Sequence, residues 1–439
     1  MQLPEYVKKC IDALEQAGFS AYAVGGCVRD SLLGLTPLDY DLCTSALPHQ
    51  TEAVFSDHRL ILAGKKHGTV GVITDDGVIE ITTYRTEGDY QDNRHPDWVE
   101  FVPDIETDLA RRDFTVNAMA YSPYRGFADP FGGQEDLQNK VLRAVGNPTK
   151  RFQEDSLRIL RGVRFAVKYG LTPENTTRDA MEALAPLMDN LARERVFDEL
   201  CKLLLLVTAN DLLRFAPILA AVIPELAPTM GFNQHSPYHA YDIFTHMAHV
   251  VENVPPVLTL RWAALLHDTG KVATFTQDET GRGHFYGHAG FGAEIADTVL
   301  RRLKAPTQLR ETVVDLIQQH MTRIDANKKC VRRWMSRLGE EGLSSLLLLQ
   351  ESDMGGKGFR SADVMEHFPK LRVIMEQIKA ENACLTIKDL AVNGHDLMAL
   401  GITGPVIGQH LNRLLDLVLD EQIENTKDAL LSAVHQERL

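Results

Sequence analysis

The sequence predicts an α+β protein, with a head built on a small mixed sheet followed by an elongated all-α body. Two observations predict it. Short β-rich runs fall in the first third of the 439 residues; the clearest pair, 69–74 and 78–83, is joined by Asp75-Asp76-Gly77, a good hairpin signal. After about Pro148 the apolar residues recur at helical spacing almost to the end. Composition agrees: 44% hydrophobic and 24% charged residues supply apolar material for one or more cores. Disordered, collagen-like and coiled-coil chains are excluded. The length suggests about three domains.

In chain order, residues 3–18 read as an amphipathic helix and 20–24 as a strand. Gly25-Gly26 then opens a helix through Leu33, a turn follows at 34–38, and 40–43 form a second strand. Residues 45–51 look like a helix start. The hairpin comes next, and 87–103, polar with two prolines, reads as a mobile loop. Residues 109–121 read as helix, with strand and turn through Gly133. The expected domains are a mixed-sheet head at 1–145, a helical neck at 146–230, a helical domain at 231–375 and a helical tail at 376–439.

Charge and cysteines narrow the function. A net charge of −14 opposes non-specific nucleic-acid binding, yet residues 301–372 hold fourteen Lys/Arg against nine Asp/Glu, so one face can still grip a polyanion. Six cysteines are scattered without a CxxC pair, which argues against a disulfide scaffold and fits a reducing cytoplasm. No apolar run approaches the ~18–20 residues of a membrane helix. Residues 1–19 do not read as a secretory leader.

The first chemical constellation runs from Tyr22 to Asp41. Gly25-Gly26 lies where a strand meets a helix, so bare backbone N–H groups can approach a phosphate. Arg29, one turn on, adds a cation. Asp39 and Asp41, two residues apart on a strand, point to one face and suit Mg²⁺, which takes hard oxygen ligands and bridges to phosphates. Glu80, on the next β-rich run, supplies a third carboxylate. A lone GG is more often a turn, and a lone DxD more often a loop. The ordered combination is far more specific.

That series resembles the head of the class II tRNA nucleotidyltransferases, the CCA-adding enzymes and bacterial poly(A) polymerases of the polymerase-β-like superfamily. The likeness continues through KHGTV (66–70), EITTYR (80–85), DLARRDFTVNA (108–118), DPFGGQEDL (129–137), EDSLRILRGVRF (154–165) and ERVFDELCKL (194–203). The resemblance implies Mg²⁺ at Asp39 and Asp41, nucleotide contacts at Gly26, Arg29, Arg112, Arg161 and Arg164, and an amino-acid template for the base in Asp155 and Arg158. Read without it, 154–165 places Glu154, Arg158, Arg161 and Phe165 on one helical face, which an ordinary salt-bridge ladder would also do. A carboxylate beside a guanidinium matches the amine and ring nitrogen that cytosine and adenine share. The implied reaction is attack of a tRNA 3′-hydroxyl on CTP or ATP with release of pyrophosphate.

A second constellation comprises His246, His267-Asp268, His288, His320 and Asp353. Mixed nitrogen and oxygen ligands suit a divalent transition metal. With sixteen histidines in the chain, coincidence is the plain alternative. The stretch HDTGK with His246 upstream resembles the HD-superfamily phosphohydrolases. That implies an HD domain with His246, His267, Asp268 and Asp353 on Ni²⁺, Co²⁺ or Mn²⁺, acting on 2′,3′-cyclic phosphates or phosphate monoesters. The tail at 385–418, with NGHDL and Gly404-Pro405, resembles the part of CCA-adding enzymes that grips the tRNA acceptor arm and elbow. Lys328, Lys329, Arg332 and Arg333 are candidate phosphate contacts, or else a solvated face.

Three alternatives stay open. A bacterial poly(A) polymerase shares the head, although HGTV at 67–70 favours the CCA type. A specialist adding only C or only A keeps the same motifs. An HD-type hydrolase of nucleotide messengers is the reading from another class.

Overall fold

The structure, a computed structural model, describes residues 1–87, 99–237, 240–357 and 362–436. It divides into two units, Met1–Val207 with Arg214–Pro224, and Thr208–Leu213 with Glu225–Leu439.

In the first unit, helix α1 (Glu5–Gln16) buries Val7, Cys10, Ile11 and Leu14, an i, i+3, i+4, i+7 stripe. Strand β1 (Ala21–Val24) leads through Gly25 into α2 (Gly26–Leu32). Then come β2 (Asp41–Thr44), α3 (Pro48–Val54), β3 (Arg59–Ile61) and the hairpin of β4 (Thr69–Thr74) and β5 (Gly77–Thr83). The hairpin turns at Asp75-Asp76-Gly77, as its sequence predicts, with Gly77 at φ 140°. After β6 (Arg85–Glu87), β7 (Val99–Phe101) and α4 (Ile105–Ala110), β8 (Ala120–Ser122) and β9 (Gly126–Ala128) finish a seven-stranded sheet ordered β3-β4-β5-β2-β1-β8-β9. Only β2 and β5 pair in parallel, so the sheet is mixed. Val24, Leu42, Ile79, Ile81 and Phe114 are fully or almost fully buried.

Two expectations need correction. Residues 109–121 are not one helix. The chain leaves α4 at Ala110, makes a 3-10 turn at Thr115–Asn117 and enters β8. Asp113 explains the break, because its side chain accepts from the Phe114 N–H and Asn117 and so competes with helical bonding. The expected loop at 87–103 is in part a strand, since Val99–Phe101 pairs antiparallel with Arg85–Glu87. Its residues 88–98 lie outside the described residues.

From Pro148 the first unit is mainly helical, beginning with α5 (Gly133–Gln138) upstream and then α6 (Pro148–Glu154) and α7 (Leu157–Tyr169). The second unit is helical apart from one two-stranded pair, Thr276–Gln277 with Gly283–His284, among the described residues. Its longest helix, Lys328–Gly355, is kinked at Gly339, where φ is 72°. The last residues have their own core around Val392, Leu397, Leu414 and Leu430. No helix of the described residues is long and apolar enough to cross a membrane.

Candidate active site and a buried histidine cluster

The head sets two of its acidic residues side by side on the sheet. Asp41 opens β2, and its register partner on β5 is Glu80. Asp39 lies two residues earlier, before β2 begins, so the strand expected to carry both aspartates holds only Asp41. Asp41 reaches solvent at the strand end, yet burial of its carboxyl, then Asp39 and Glu80, push its pKa up to about 6, while Arg112 pulls it down. A carboxyl crowded by two like charges is what a divalent cation relieves, so this donor set fits Mg²⁺.

Gly25 sets where Arg112 can lie. Its φ of 75° and ψ of −120° disfavour a side chain. A Cβ there would sit 2.9 Å from Arg112 Nη1, whereas one on Gly26 would come no nearer than 3.7 Å to Arg29 Nη2. Arg112 Nη2 also lies 3.4 Å from Asp108 Oδ2. Arg29 is buried, and its donors already have partners: Asn117 Oδ1, the Tyr169 hydroxyl and Asp30 Oδ1. Its guanidinium lies 4.2 Å from the Tyr169 ring centroid.

The segment 154–165 does not form one helix. Asp155 is extended (φ −142°, ψ 101°) between α6 and α7, and its Oδ1 accepts from the Leu157 N–H at 3.0 Å. Glu154 therefore belongs to the preceding helix. Asp155 and Arg158 do not pair with each other. Asp155 Oδ2 accepts from Arg195 Nη2 at 3.0 Å, while Arg158 donates to Glu154 Oε2 at 2.8 Å and to the Arg111 carbonyl at 3.2 Å. Arg161 holds Asp113 Oδ2 at 2.7 and 2.9 Å, and Arg164 holds Glu199 Oε2 at 2.6 Å. Burial of Asp113 opposes its charge, but Arg161 and Asn117 outweigh it and hold its pKa at about 2. Sequence reasoning missed Asp113, Asn117, Tyr169 and Arg195. All but Tyr169 lie in quoted motifs, but nothing in the motifs names their partners.

In the second unit, His246, His267, Asp268 and Asp353 converge, with ligand atoms all within 4.8 Å of one another. Asp268 also belongs to a second such group with His288 and His320. All six are buried. His246 Nε2 is 2.9 Å from Asp353 Oδ1 and 3.3 Å from Asp268 Oδ2; His267 Nε2 is 3.3 Å from Asp268 Oδ2. Lys271 Nζ approaches Asp268 Oδ2 at 2.7 Å, and Lys357 Nζ approaches Asp353 Oδ2 at 3.2 Å. Burial disfavours a charged His267, but Asp268 and Asp353 outweigh it and raise its pKa to about 9. Burial and then His267 push His320 down to about 4.

The basic run has partners of its own. Lys328 and Arg332 meet Glu381 at 2.5 and 3.5 Å, Arg332 also meets Glu421, and Lys329 and Arg333 meet Asp420 at 3.4 and 2.7 Å.

Three family models match the chain: "Poly A polymerase head domain" over residues 21–143, "Probable RNA and SrmB- binding site of polymerase A" over 170–230, and "tRNA nucleotidyltransferase domain 2 putative" over 276–434. A CCA-adding enzyme of Streptococcus mutans is 33% identical over 445 residues, covering 99% of this chain and 98% of the relative. One of Geobacillus stearothermophilus is 43% identical over 227 residues, 52% of this chain and 53% of the relative. Among solved structures, the Bacillus stearothermophilus CCA-adding enzyme in complex with CTP is similar over 100% of this chain and 98% of its own, at 27% identity and TM-score 0.68. The Thermotoga maritima CCA-adding enzyme complexed with tRNA shares the fold at 21% identity and TM-score 0.60, over 99% of this chain and 96% of its own. With a full-length relative a third identical and a head that assembles the acidic trio beside Arg112, the chain belongs to the family of CCA-adding enzymes.

Proposed function

We propose that the protein adds C, C and A in turn to the 3′ end of tRNA from CTP and ATP, without a nucleic-acid template. The observation that carries this is the register of Asp41 beside Glu80 on neighbouring strands, with Asp39 two residues before, in the unit that also holds the 154–165 segment. Asp39 and Asp41 hold Mg²⁺, with Glu80 beside them. Bound there, the cations supply an activated 3′-hydroxyl and a stabilised pyrophosphate leaving group. The side chains do the rest. Arg112, placed by Gly25, neutralises phosphate charge. Arg29, held by Asn117 and Tyr169, fixes the start of α2 beside it. Asp155 accepts from the exocyclic amine of cytosine or adenine, and Arg158 donates to the ring nitrogen. Arg161 and Arg164 hold α7 in place through Asp113 and Glu199.

Domain assignments follow: 1–145 for catalysis, 146–230 for base choice and RNA, 231–375 for the histidine cluster and 376–439 for the tRNA acceptor arm and elbow. Six free, scattered cysteines agree with a cytoplasmic site of action. The test is incubation with tRNA ending at the discriminator base, at -C and at -CC, with CTP and ATP separate and together. Ordered CCA completion is expected, and Asp39→Ala or Asp41→Ala should abolish C and A addition alike. Runs of A identify a poly(A) polymerase, and a single C or A step a specialist.

A second reading is favoured by the buried cluster in the other unit. We propose that His246, His267, Asp268 and Asp353 hold Ni²⁺, Co²⁺ or Mn²⁺ and that this site hydrolyses phosphoesters. Absence of 2′,3′-cAMP turnover with any of the three would refute the hydrolysis.

A further inference from the structure

Three residues of α7, Arg161, Phe165 and Tyr169, recur every four positions and so share one helical face. Arg161 Nε and Nη2 donate to Asp113 Oδ2 at 2.9 and 2.7 Å. Asp113 Oδ1 accepts from Asn117 Nδ2 at 3.0 Å, and Asn117 Oδ1 in turn accepts from Arg29 Nη1. Arg29 Nη2 donates to the Tyr169 hydroxyl, which returns the series of bonds to α7 about two turns beyond where it left. Phe165 fills the middle. Its ring centroid lies 5.3 Å from the Cζ of both Arg29 and Arg161.

The circuit is closed. Arg29, Asp113, Asn117 and Phe165 are buried, and Arg161 and Tyr169 are half-buried. Asp113, paired with Arg161, only accepts, so the NH2 of Asn117 faces it and the amide oxygen is left for Arg29. Arg29 Nε also donates to Asp30 Oδ1 at 2.8 Å, but that neighbour lies on α2 itself and adds no tie between elements. Tyr169 is the one member outside the motif segments, and it is the last residue of α7.

Two ties on one helix do what a single tie does not. A helix held at Arg161 alone can still turn about that point. A second tie eight residues on, about 12 Å along the axis, fixes the direction of the axis as well. Phe165, stacked between two guanidinium groups, resists rotation about it. What this orientation serves stands at the N-terminal end of the same helix. Arg158 lies in its first turn, and Asp155 just precedes it, bonded to the Leu157 N–H at 3.0 Å.

We infer that Tyr169 is a positioning residue for base choice. By closing the circuit through Arg29, it fixes how α7 presents Asp155 and Arg158 to the incoming base. This rests on the reading that the pair selects cytosine and adenine, and adds to it a residue that acts through Arg29. The hydroxyl is the part required. Without it the tyrosine ring still lies 4.2 Å from the Arg29 guanidinium, but one N–H of a buried cation loses its acceptor and the circuit opens.

The test compares the parent with Tyr169→Phe in the full chain. kcat/KM is measured for CTP and UTP on tRNA ending at the discriminator base, and for ATP and GTP on tRNA ending in -CC. Each ratio comes from one preparation, so the active fraction cancels. Tyr169→Phe should lower both ratios about threefold or more, while KM for CTP stays within about twofold. Asn117→Ala opens the same circuit elsewhere, so the double variant should lose about as much as the worse single variant rather than the product of the two. Circular dichroism shows whether Asn117→Ala is folded; if it is not, the Tyr169→Phe ratios decide alone. Unchanged ratios in Tyr169→Phe overturn the inference even if the variant is more easily inactivated by heat, because the hydroxyl then serves stability only. Asp155→Ala in the same assay tells the two readings apart. Lowered ratios there, beside unchanged ratios in Tyr169→Phe, overturn the role of Tyr169 and leave the base-choosing pair standing. Unchanged ratios in both overturn both.

Discussion

Replacing Gly25 by Ala separates what the backbone requires from what the nucleotide requires. At φ 75° and ψ −120° a non-glycine residue costs about 1–3 kcal/mol. The new methyl would also stand 2.9 Å from Arg112 Nη1, so this guanidinium, 3.4 Å from Asp108 Oδ2, must move. Taking about 2 kcal/mol for the strain, incorporation of CTP and ATP should fall roughly 30-fold if the strain is relieved by displacing Arg112. The temperature at which half the incorporation activity is lost should fall by roughly 4–8 °C for a unit of this size. Gly26→Ala is the control. Its Cβ meets ordinary contact at 3.7 Å, so the half-inactivation temperature should hold, and any loss should fall on KM for the nucleotide. The assay is addition of labelled CTP and ATP to tRNA lacking its terminus, before and after heating. If Gly25→Ala retains activity within about threefold and its half-inactivation temperature within about 1 °C, the placement of Arg112 by Gly25 is wrong.

Four further outcomes follow from named contacts. Asp155→Ala should lower discrimination of CTP and ATP against UTP by about tenfold or more, with little change in triphosphate affinity. Arg195→Ala, which frees Asp155 Oδ2, should reproduce part of that loss in the same competition assay. Asp113→Asn tests the ion pair with Arg161. A carboxyl held at about 2, against an ordinary ~3.9, contributes about 2.5 kcal/mol at neutral pH. Because the folded value is the lower one, that stability is present above about pH 4 and is lost as pH falls toward 2. Hydrogen exchange of head amides should therefore separate variant from parent at pH 7 and do so by only about half as much near pH 3; equal separation at both would exclude the pair as the cause. Lys329→Ala with Arg333→Ala should change the log–log salt slope of tRNA binding by less than about one, because Asp420 already answers both cations. A drop of about two would show that both reach phosphate.

The head was legible because its signals are local. The Asp-Gly turn between two β-rich runs, and a strand ending in Gly25-Gly26, needed no distant partner to be recognised. Two of the errors came where a short acidic side chain bonds a backbone N–H one or two residues on. Asp113 does so with Phe114, and Asp155 with Leu157, and each interrupts a stretch whose apolar spacing alone reads as helix. Partners far along the chain were not legible at all. Arg158 and Asp155 look like mates at i, i+3, but Glu154 takes one and Arg195, forty residues on, takes the other. The basic run likewise meets carboxylates at 381, 420 and 421. The histidines were visible as a set, but spacing could not show that Asp268 divides them into two groups.

The segment from Arg111 to Asn117 ties the sheet of the head to the helix α7. The Arg111 carbonyl accepts from Arg158, and Arg112 faces Asp41. Asp113 holds Arg161, and Asn117 holds Arg29 at the start of α2. Four residues within seven positions thus bear on Asp41, on the start of α2 and on α7. An α-helix would spread such side chains around its axis at about 100° per residue, and its carbonyls would be used by its own ladder. The irregular backbone leaves the Arg111 carbonyl available to Arg158 while its neighbours point elsewhere. A displacement of α7 therefore bears on the segment that carries Arg112 and Asn117.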